Sequence, residues 1–146
     1  MVLGIIHETR KEYDKSRAHY EEILRLNSRF APAANNLAWI LAEQGGNLDV
    51  ALSYAQTARE QQPDNPRIAD TLGWIYYKKN AYLLAVSLLK EAAEKLPKEP
   101  EVQYHYGMAQ QKTGDSTGAK MSLQTALKLS QTFAGSEETR KTLAGL

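Results

Sequence analysis

The stretch that decides the fold runs from Pro66 to Pro97 and reads PRIADTLGWIYYKKNAYLLAVSLLKEAAEKLP. Leu72-Gly73 lies in its first apolar segment, and Ala85 lies in a second segment after a short turn. The arrangement recurs at intervals of 34, 35 and 34 residues, with the small residue of the pair at Gly4, Ala38, Gly73 and Gly107. Such a period is typical of helix-turn-helix solenoids. The sequence therefore predicts an all-α protein, a right-handed α-solenoid of stacked antiparallel helix pairs.

Each unit is expected to contain a first helix, called A, and a second helix, called B, because apolar and small residues recur at spacings of three and four in both segments. Turn residues that accept a left-handed backbone, such as Asn80 and Gly114, separate A from B. Prolines such as Pro63 and Pro66 separate consecutive units. The predicted helices cover residues 2–10, 13–26, 33–44, 47–61, 67–79, 82–95, 101–112 and 116–130.

We expect one domain over residues 1–146, made of about four units and a short C-terminal capping helix. The units cover residues 1–30, 31–65, 66–99 and 100–132, and the capping helix covers 137–145. The first unit is interpreted as truncated, because Leu3-Gly4 lies in the middle of an A helix without an opening turn. The chain is therefore interpreted as a piece of a longer protein.

The capping helix is predicted because a solenoid needs a final element with a polar outer face. Leu143 and Leu146 would point inward, and Arg140 and Lys141 would point outward. The alternative is a frayed tail.

Small residues mark the places where helix A crosses helix B, because close approach of two backbones leaves room only for Gly, Ala or Ser. The B-helix members of this set are Ser16, Ala51, Ala85 and Ala119. A further series is expected to face the next A helix, at Ala58, Ala92 and Ala126. Larger side chains fill the layer between the helices, at Tyr20, Leu89 and Leu123.

The bulk composition excludes several function classes. The 146 residues include 18 Lys and Arg against 17 Asp and Glu, with no long run of one sign, so no basic patch for nucleic acid or an anionic membrane is expected. The absence of cysteine excludes disulfides and thiolate chemistry but leaves both the cytoplasm and the periplasm open. Because the apolar stretches are short, we expect no membrane insertion, and we do not expect residues 1–6 to act as a signal peptide. A soluble protein is expected.

Catalysis would require a convergent set of titratable groups. The three histidines, His7, His19 and His105, fall in different units, and none has a second histidine or a cysteine at ligand spacing on the same helix face. His105 is interpreted as a partly exposed helix residue. The glycines mark turns and crossings, and none opens a phosphate-binding loop. We therefore expect no enzyme activity, no cofactor and no metal.

The order of small and large residues resembles that of the tetratricopeptide repeat family. The third unit carries the pattern in family order, with Leu72, Gly73, Tyr76, Ala85, Leu89, Ala92 and Pro97. The resemblance covers nearly the whole chain and implies a protein-interaction module. The sequence of residues 36–39 and 70–77 is similar to that of the last repeats of long bacterial members. Some of these members resemble exopolysaccharide-export lipoproteins of the PEP-CTERM system.

In such an array, the inner face of each A helix would line a concave groove for a peptide segment of a partner protein. Trp39, Trp74 and Met108 occupy equivalent positions and would form a solvent-accessible ladder in it. Aromatic anchors with nearby polar groups suit peptide recognition. The predicted groove residues are Asn35, Trp39, Glu43, Asp70, Trp74, Tyr77, Lys78, Tyr104, Met108, Gln111 and Lys112.

Other interpretations stay open from the sequence. The tryptophans could pack against neighbouring helices, or the chain could be a structural spacer with an empty groove. Exposed solenoid ends could also make it a homo-oligomer. A third hypothesis is a carbohydrate contact on the aromatic ladder.

Some members of the family clamp a chaperone's terminal carboxylate with Lys, Asn, Asn, Lys and Arg over three repeats. The equivalent residues here are Met1, Ile5, Asn36, Arg67 and Thr71, or, one unit later, Asn35, Trp39, Thr71, Glu101 and His105. Neither set is a clamp, so such tails are not expected ligands.

Overall fold

The computed structural model describes residues 12–146. This part of the chain folds into eight α-helices: α1 (Tyr13–Leu26), α2 (Ala31–Glu43), α3 (Leu48–Gln61), α4 (Pro66–Lys78), α5 (Tyr82–Lys95), α6 (Pro100–Lys112), α7 (Ser116–Leu129) and α8 (Ser136–Ala144). No strand occurs between residues 12 and 146. The predicted helix 2–10 lies outside the described residues, as do the assignments to Met1, Gly4, Ile5 and His7.

The helices stack as two layers, which confirms the predicted α-solenoid. Helix α2 pairs with α3, α4 with α5, and α6 with α7, so each pair is one A-B hairpin. Each B helix also packs against the next A helix, from α1 on α2 to α7 on α8. The A helices α2, α4 and α6 contact one another in sequence and form the inner layer.

The helix boundaries follow local chemistry. Helices α4 and α6 begin one residue earlier than predicted because Pro66 and Pro100 take the first helical position, where no backbone donor is needed. The side chains of Asn47, Asn65 and Asp115 cap α3, α4 and α7 by accepting backbone N–H groups. The A-B turns adopt positive φ as predicted, with values of 71°, 62° and 88° at Gly45, Asn80 and Gly114.

Helix crossings show why the small residue differs between units. A Cβ built on Gly73 would lie 2.8 Å from Leu89 Cγ, and one on Gly107 would lie 2.7 Å from Leu123 Cγ, so neither site has room for a methyl group. In the second hairpin, the residue at the position of Leu89 is Ala55. Because alanine is smaller than leucine, this crossing has room for the Cβ of Ala38, which is fully buried. Residue size is therefore balanced across each crossing.

Helix α8 lies in register with the A helices, one repeat after α6. Thr142 follows Met108 by 34 residues, and its Oγ1 lies 3.6 Å from the Met108 sulfur. Arg140 and Lys141 take the places of Tyr106-Gly107 and are exposed, as predicted. Polar residues thus occupy the face on which a B helix would pack.

The remaining predictions for this helix have mixed outcomes. Leu143 packs against the apolar cluster around Trp74, as expected. The inward placement of Leu146 is wrong, since its side chain is 39% exposed. The helix ends at Ala144, so Leu146 lies beyond the last turn that packs on the array.

An ion pair joins the B helices of neighbouring units on the outside of the stack. Arg59 of α3 makes two hydrogen bonds, of 3.0 and 2.8 Å, to the carboxylate of Glu91 in α5. The pair is about three-quarters buried, with 27% and 28% of the two side chains exposed. The hydrogen bond from Arg59 lowers the pKa of Glu91 below its ordinary value. This bidentate contact links the second and third hairpins.

Between residues 12 and 146, each helix is too short or too polar to cross a bilayer.

Candidate functional site

Trp74 is the centre of a side-chain cluster on the inner layer of A helices. Its indole stacks on Tyr77 at 4.5 Å between ring centroids with an interplanar angle of 6°, and on His105 at 4.1 Å and 26°. Only 6% of the Trp74 surface is exposed. The prediction that Trp74 is solvent-accessible is therefore wrong, because rings from its own helix and from α6 cover the indole.

The polar edge of this indole is also satisfied. Trp74 Nε1 donates a 3.0 Å hydrogen bond to Glu43 Oε1 on the preceding A helix. Lys78 Nζ lies 3.4 Å from the same oxygen and 5.8 Å from the centroid of the Trp74 ring. A carboxylate of one repeat thus orients both an indole and an ammonium of the next.

His105 is a buried member of the cluster and not the partly exposed residue expected from the sequence. Its side chain is 4% exposed, and its Nδ1 lies 2.8 Å from Asp70 Oδ1, on the adjacent A helix. The two residues are 35 positions apart, close to one repeat, and this spacing is the signal that could have revealed the pair. Because buried polar groups need partners, the contact fixes the imidazole against Trp74.

Tyr104 and Met108 are covered by the C-terminal part of the chain. The Tyr104 ring lies 6.0 Å from Phe133, and a Cβ at Gly135 would lie 2.4 Å from it, so only glycine permits this approach. Burial raises the pKa of the Tyr104 phenol well above its ordinary value and also raises that of Tyr77. Met108 is 5% exposed, so the expectation of an accessible methionine in the ladder is wrong; Thr142 of α8 lies over it.

Trp39 differs from Trp74 because its side chain is only partly buried. Its ring centroid lies 5.6 Å from that of His105 at a tilt of 52°. A cavity of about 160 Å³ opens beside it, called here the Trp39 cavity, and its walls are Trp39, Glu43, Trp74, Lys78, Glu101, Tyr104, His105, Ala134 and Gly135. The sequence analysis placed five of these residues in the groove and missed Glu101, His105, Ala134 and Gly135.

Three predicted groove residues do not join the cluster. Asn35 donates weakly to Asn36 at 3.4 Å, and its own buried Oδ1 has no hydrogen-bond partner among residues 12–146. Lys112 turns toward Tyr82, with Nζ 5.8 Å from the ring centroid, at the A-B turn. Gln111 is half-buried one position before it.

The arrangement suits binding more than proton transfer. Asp70 and His105 hold each other, and Glu43 is engaged by Trp74 and Lys78. Over residues 12–146, no three metal-ligating side chains come together as a site for an ion. What remains accessible is a rigid aromatic wall with charged groups at its rim.

Comparison with known protein families identifies the family of this repeat array. Sequence profiles described as "Tetratricopeptide repeat" match residues 1–66, 41–100 and 100–133. The chain belongs to the tetratricopeptide repeat family. Repeats of this family typically act as interaction modules without catalytic activity.

The curated relatives are much longer than this tetratricopeptide chain. The general transcriptional corepressor ssn6 of Schizosaccharomyces pombe is 27% identical over 133 residues, which are 90% of this chain and 12% of that protein. The TPR repeat-containing protein PA4667 of Pseudomonas aeruginosa is 33% identical over 77 residues, 53% of this chain and 13% of that protein. The chain thus spans about an eighth of the length of either relative.

Solved structures share the fold along almost the whole chain. The structure described as "MamA MSR-1 C2" matches with a TM-score of 0.76 and 25% identity, over 97% of this chain and 79% of that one. TTC0263, a thermophilic TPR protein of Thermus thermophilus, matches with a TM-score of 0.77 and 24% identity, over 98% and 77% of the two chains. The second likeness concerns the fold alone.

Proposed function

We propose that this chain is a protein-interaction module that binds a peptide segment of a partner on the inner face of its A helices. The observation that carries the proposal is the Trp39 cavity, where a half-buried indole lies on a platform of buried rings. A rigid aromatic side chain with one open side offers contact area at a small entropic cost. The platform beneath it is fixed by the Asp70–His105 contact and by the Trp74–Glu43 hydrogen bond.

The polar groups near Trp39 favour a peptide as the ligand. Asn35 lies one turn before Trp39 on α2, and its carboxamide oxygen has no partner in the part of the chain that the structure describes. Because that oxygen is buried, the Asn35 side chain would have to rotate before it could accept a backbone N–H of a bound segment, and the gain would be the free energy that an unpaired acceptor costs. We therefore keep the proposal of a binding groove but assign two different roles to its residues. Asn35, Trp39, Glu43, Lys78 and Tyr104 would contact the segment, and Trp74 and Met108 would support it from below.

The relatives agree with an interaction role at a coarse level. One of them is described as a transcriptional corepressor and the other as a TPR repeat-containing protein, and both are far longer than this chain. We infer that this array is one part of a larger scaffold or assembly protein. That the parent protein is bacterial and related to the PEP-CTERM system remains a prediction from the sequence of residues 36–39 and 70–77.

The test is a selection of binding peptides from a random display library on the purified chain. Affinities are then measured by fluorescence polarisation for the wild type and for Trp39→Ala. We expect Trp39→Ala to weaken selected peptides by about tenfold or more, as for an anchor residue. The matched control is Leu83→Ala on α5, where an apolar side chain is 78% exposed away from the inner face.

Failure would favour the other functions considered. If no peptide is selected, the structural-spacer hypothesis is the better account. Self-association through the solenoid ends would make the size measured by sedimentation depend on concentration. Helix α8 is not expected to form such a contact, because its outer face carries the charged residues Arg140 and Lys141. A carbohydrate ligand stacked on a ladder has little support, since Trp74 is covered by Tyr77 and His105.

A further inference from the structure

We propose that the Trp39 cavity accepts a basic side chain of the bound segment, with arginine preferred. The inference rests on the proposed function and specifies its ligand. The cavity has about 160 Å³ of space, and a cavity of roughly 150 Å³ holds a group the size of a benzene ring. A guanidinium with part of its stem fits this volume.

The first argument is the nature of the walls. The rings of Trp39, Trp74 and Tyr104 line the cavity, together with the imidazole of His105. Aromatic faces attract cations, and a guanidinium also stacks on them. Tyr77 and His105 cover Trp74, so a bound guanidinium would stack on Trp39 or Tyr104. The chain already places a cation beside one of these rings, since Lys78 Nζ lies 5.8 Å from the Trp74 centroid.

The second argument is the state of the charged groups. Four titratable or charged side chains besides tyrosine line the cavity, namely Glu43, Lys78, Glu101 and His105. Lys78 is already paired with Glu43 at 3.4 Å, and His105 is held by Asp70. Glu101 is half-buried and has no hydrogen bond or ion pair within residues 12–146. The cavity therefore contains one carboxylate, in the first turn of α6, that has no ion-pair partner among residues 12–146.

Other ligand groups fit less well. A carboxylate or phosphate would meet both Glu43 and Glu101 with only one ammonium, already engaged, to offset them. An apolar side chain would remove water from Glu101 without replacing its hydrogen bonds, which is unfavourable for a charged group. A cation offsets the charge of Glu101 and uses the aromatic walls at the same time.

The experiment uses two short peptides that differ only in charge at one side chain. Ac-Gly-Arg-Gly-NH2 and its citrulline counterpart are titrated into the ¹⁵N-labelled chain, and the indole N–H signal of Trp39 is followed. We expect a saturable shift with the arginine peptide and binding weaker by about tenfold or more with citrulline, because citrulline has similar shape but no charge. The lysine peptide should bind with an intermediate constant.

Three variants assign the effect to the cavity. Glu101→Gln should reduce arginine binding to the level of citrulline, whereas Lys78→Gln should strengthen it by removing a like charge. The matched control is Glu94→Gln, which removes an exposed carboxylate from α5, outside the cavity. Thermal unfolding by circular dichroism establishes that each variant is folded.

The outcomes separate this inference from the proposed function. Equal binding of arginine and citrulline peptides, or no effect of Glu101→Gln, would overturn the preference for a basic side chain. If display-selected peptides bind at the inner face but lack basic residues, the inference is wrong and the peptide-binding function stands. If neither selected peptides nor the arginine peptide bind, both fail.

Discussion

Trp39 and Trp74 occupy the same position in consecutive repeats, yet one is partly open and the other is 6% exposed. The difference arises one repeat later in the chain. Trp74 is followed by His105 and Tyr104 on α6, whose rings lie 4.1 and 5.5 Å from it. Among residues 12–146, the ring contact of Trp39 is with His105, at 5.6 Å and a tilt of 52°. In a repeat array, the neighbours in the next unit therefore decide whether an equivalent side chain supports the fold or faces a ligand.

The largest expected effect is on stability. Trp74→Ala should lower the free energy of unfolding by about 3–5 kcal/mol, because it removes a fully packed aromatic side chain. Trp39→Ala should cost clearly less, about 1–2 kcal/mol, since part of that ring already faces water. Chemical denaturation of both variants at one temperature checks the ratio. Equal losses would show that the two tryptophans have the same role.

The second prediction tests what holds Trp74 in place. Glu43→Ala leaves the buried indole N–H without its 3.0 Å partner and should cost about 1–3 kcal/mol. Glu60→Ala is the control, because it removes a carboxylate whose side chain is 68% exposed and lies 3.7 Å from Arg29. If both substitutions have the same small effect in urea denaturation, the indole hydrogen bond contributes nothing.

The third prediction concerns a variant in which Trp74 should become partly exposed, as Trp39 is. His105→Ala removes the ring that stacks on Trp74 and should expose the indole, with a red shift of tryptophan emission and faster quenching by acrylamide. His105→Leu should restore most of the protection, because a leucine fills much of the same space. Unchanged quenching in the alanine variant would mean that other groups cover Trp74.

The smallest effect concerns the outer face of the same two repeats. Hydrogen bonding to Arg59 lowers the pKa of Glu91, so the pair stabilises the fold above the ordinary carboxyl pKa and this contribution disappears as pH falls through the lowered value. Glu91→Gln should therefore cost about 1 kcal/mol at neutral pH. The difference from the wild type should vanish in strong acid. A difference in unfolding temperature that persists there would contradict the ion-pair account.

Much of the fold could be predicted from the sequence because local signals agree with the repeat period. Apolar spacing located the seven predicted helices within residues 12–130 to within about two residues, and Asn80 and Gly114 have the left-handed turns expected of them. The small residues at the crossings, such as Ala85 and Ala119, are fully buried as expected. Each of these features depends on one unit and its immediate partner.

The candidate site was less predictable because it depends on contacts between units. The burial of Trp74 requires His105, whose orientation is set by Asp70 on another helix. The approach of Gly135 to Tyr104 requires the path of the connection before α8, for which the sequence offers no periodic signal. Exposure of equivalent residues could not be read from one unit alone.

The most direct test of the account follows the two indole N–H signals of the chain, which has two tryptophans, while a display-selected peptide is added. The account predicts that the Trp39 signal shifts with the peptide concentration and that the Trp74 signal stays nearly fixed. A shift of Trp74 with Trp39 unmoved would contradict it.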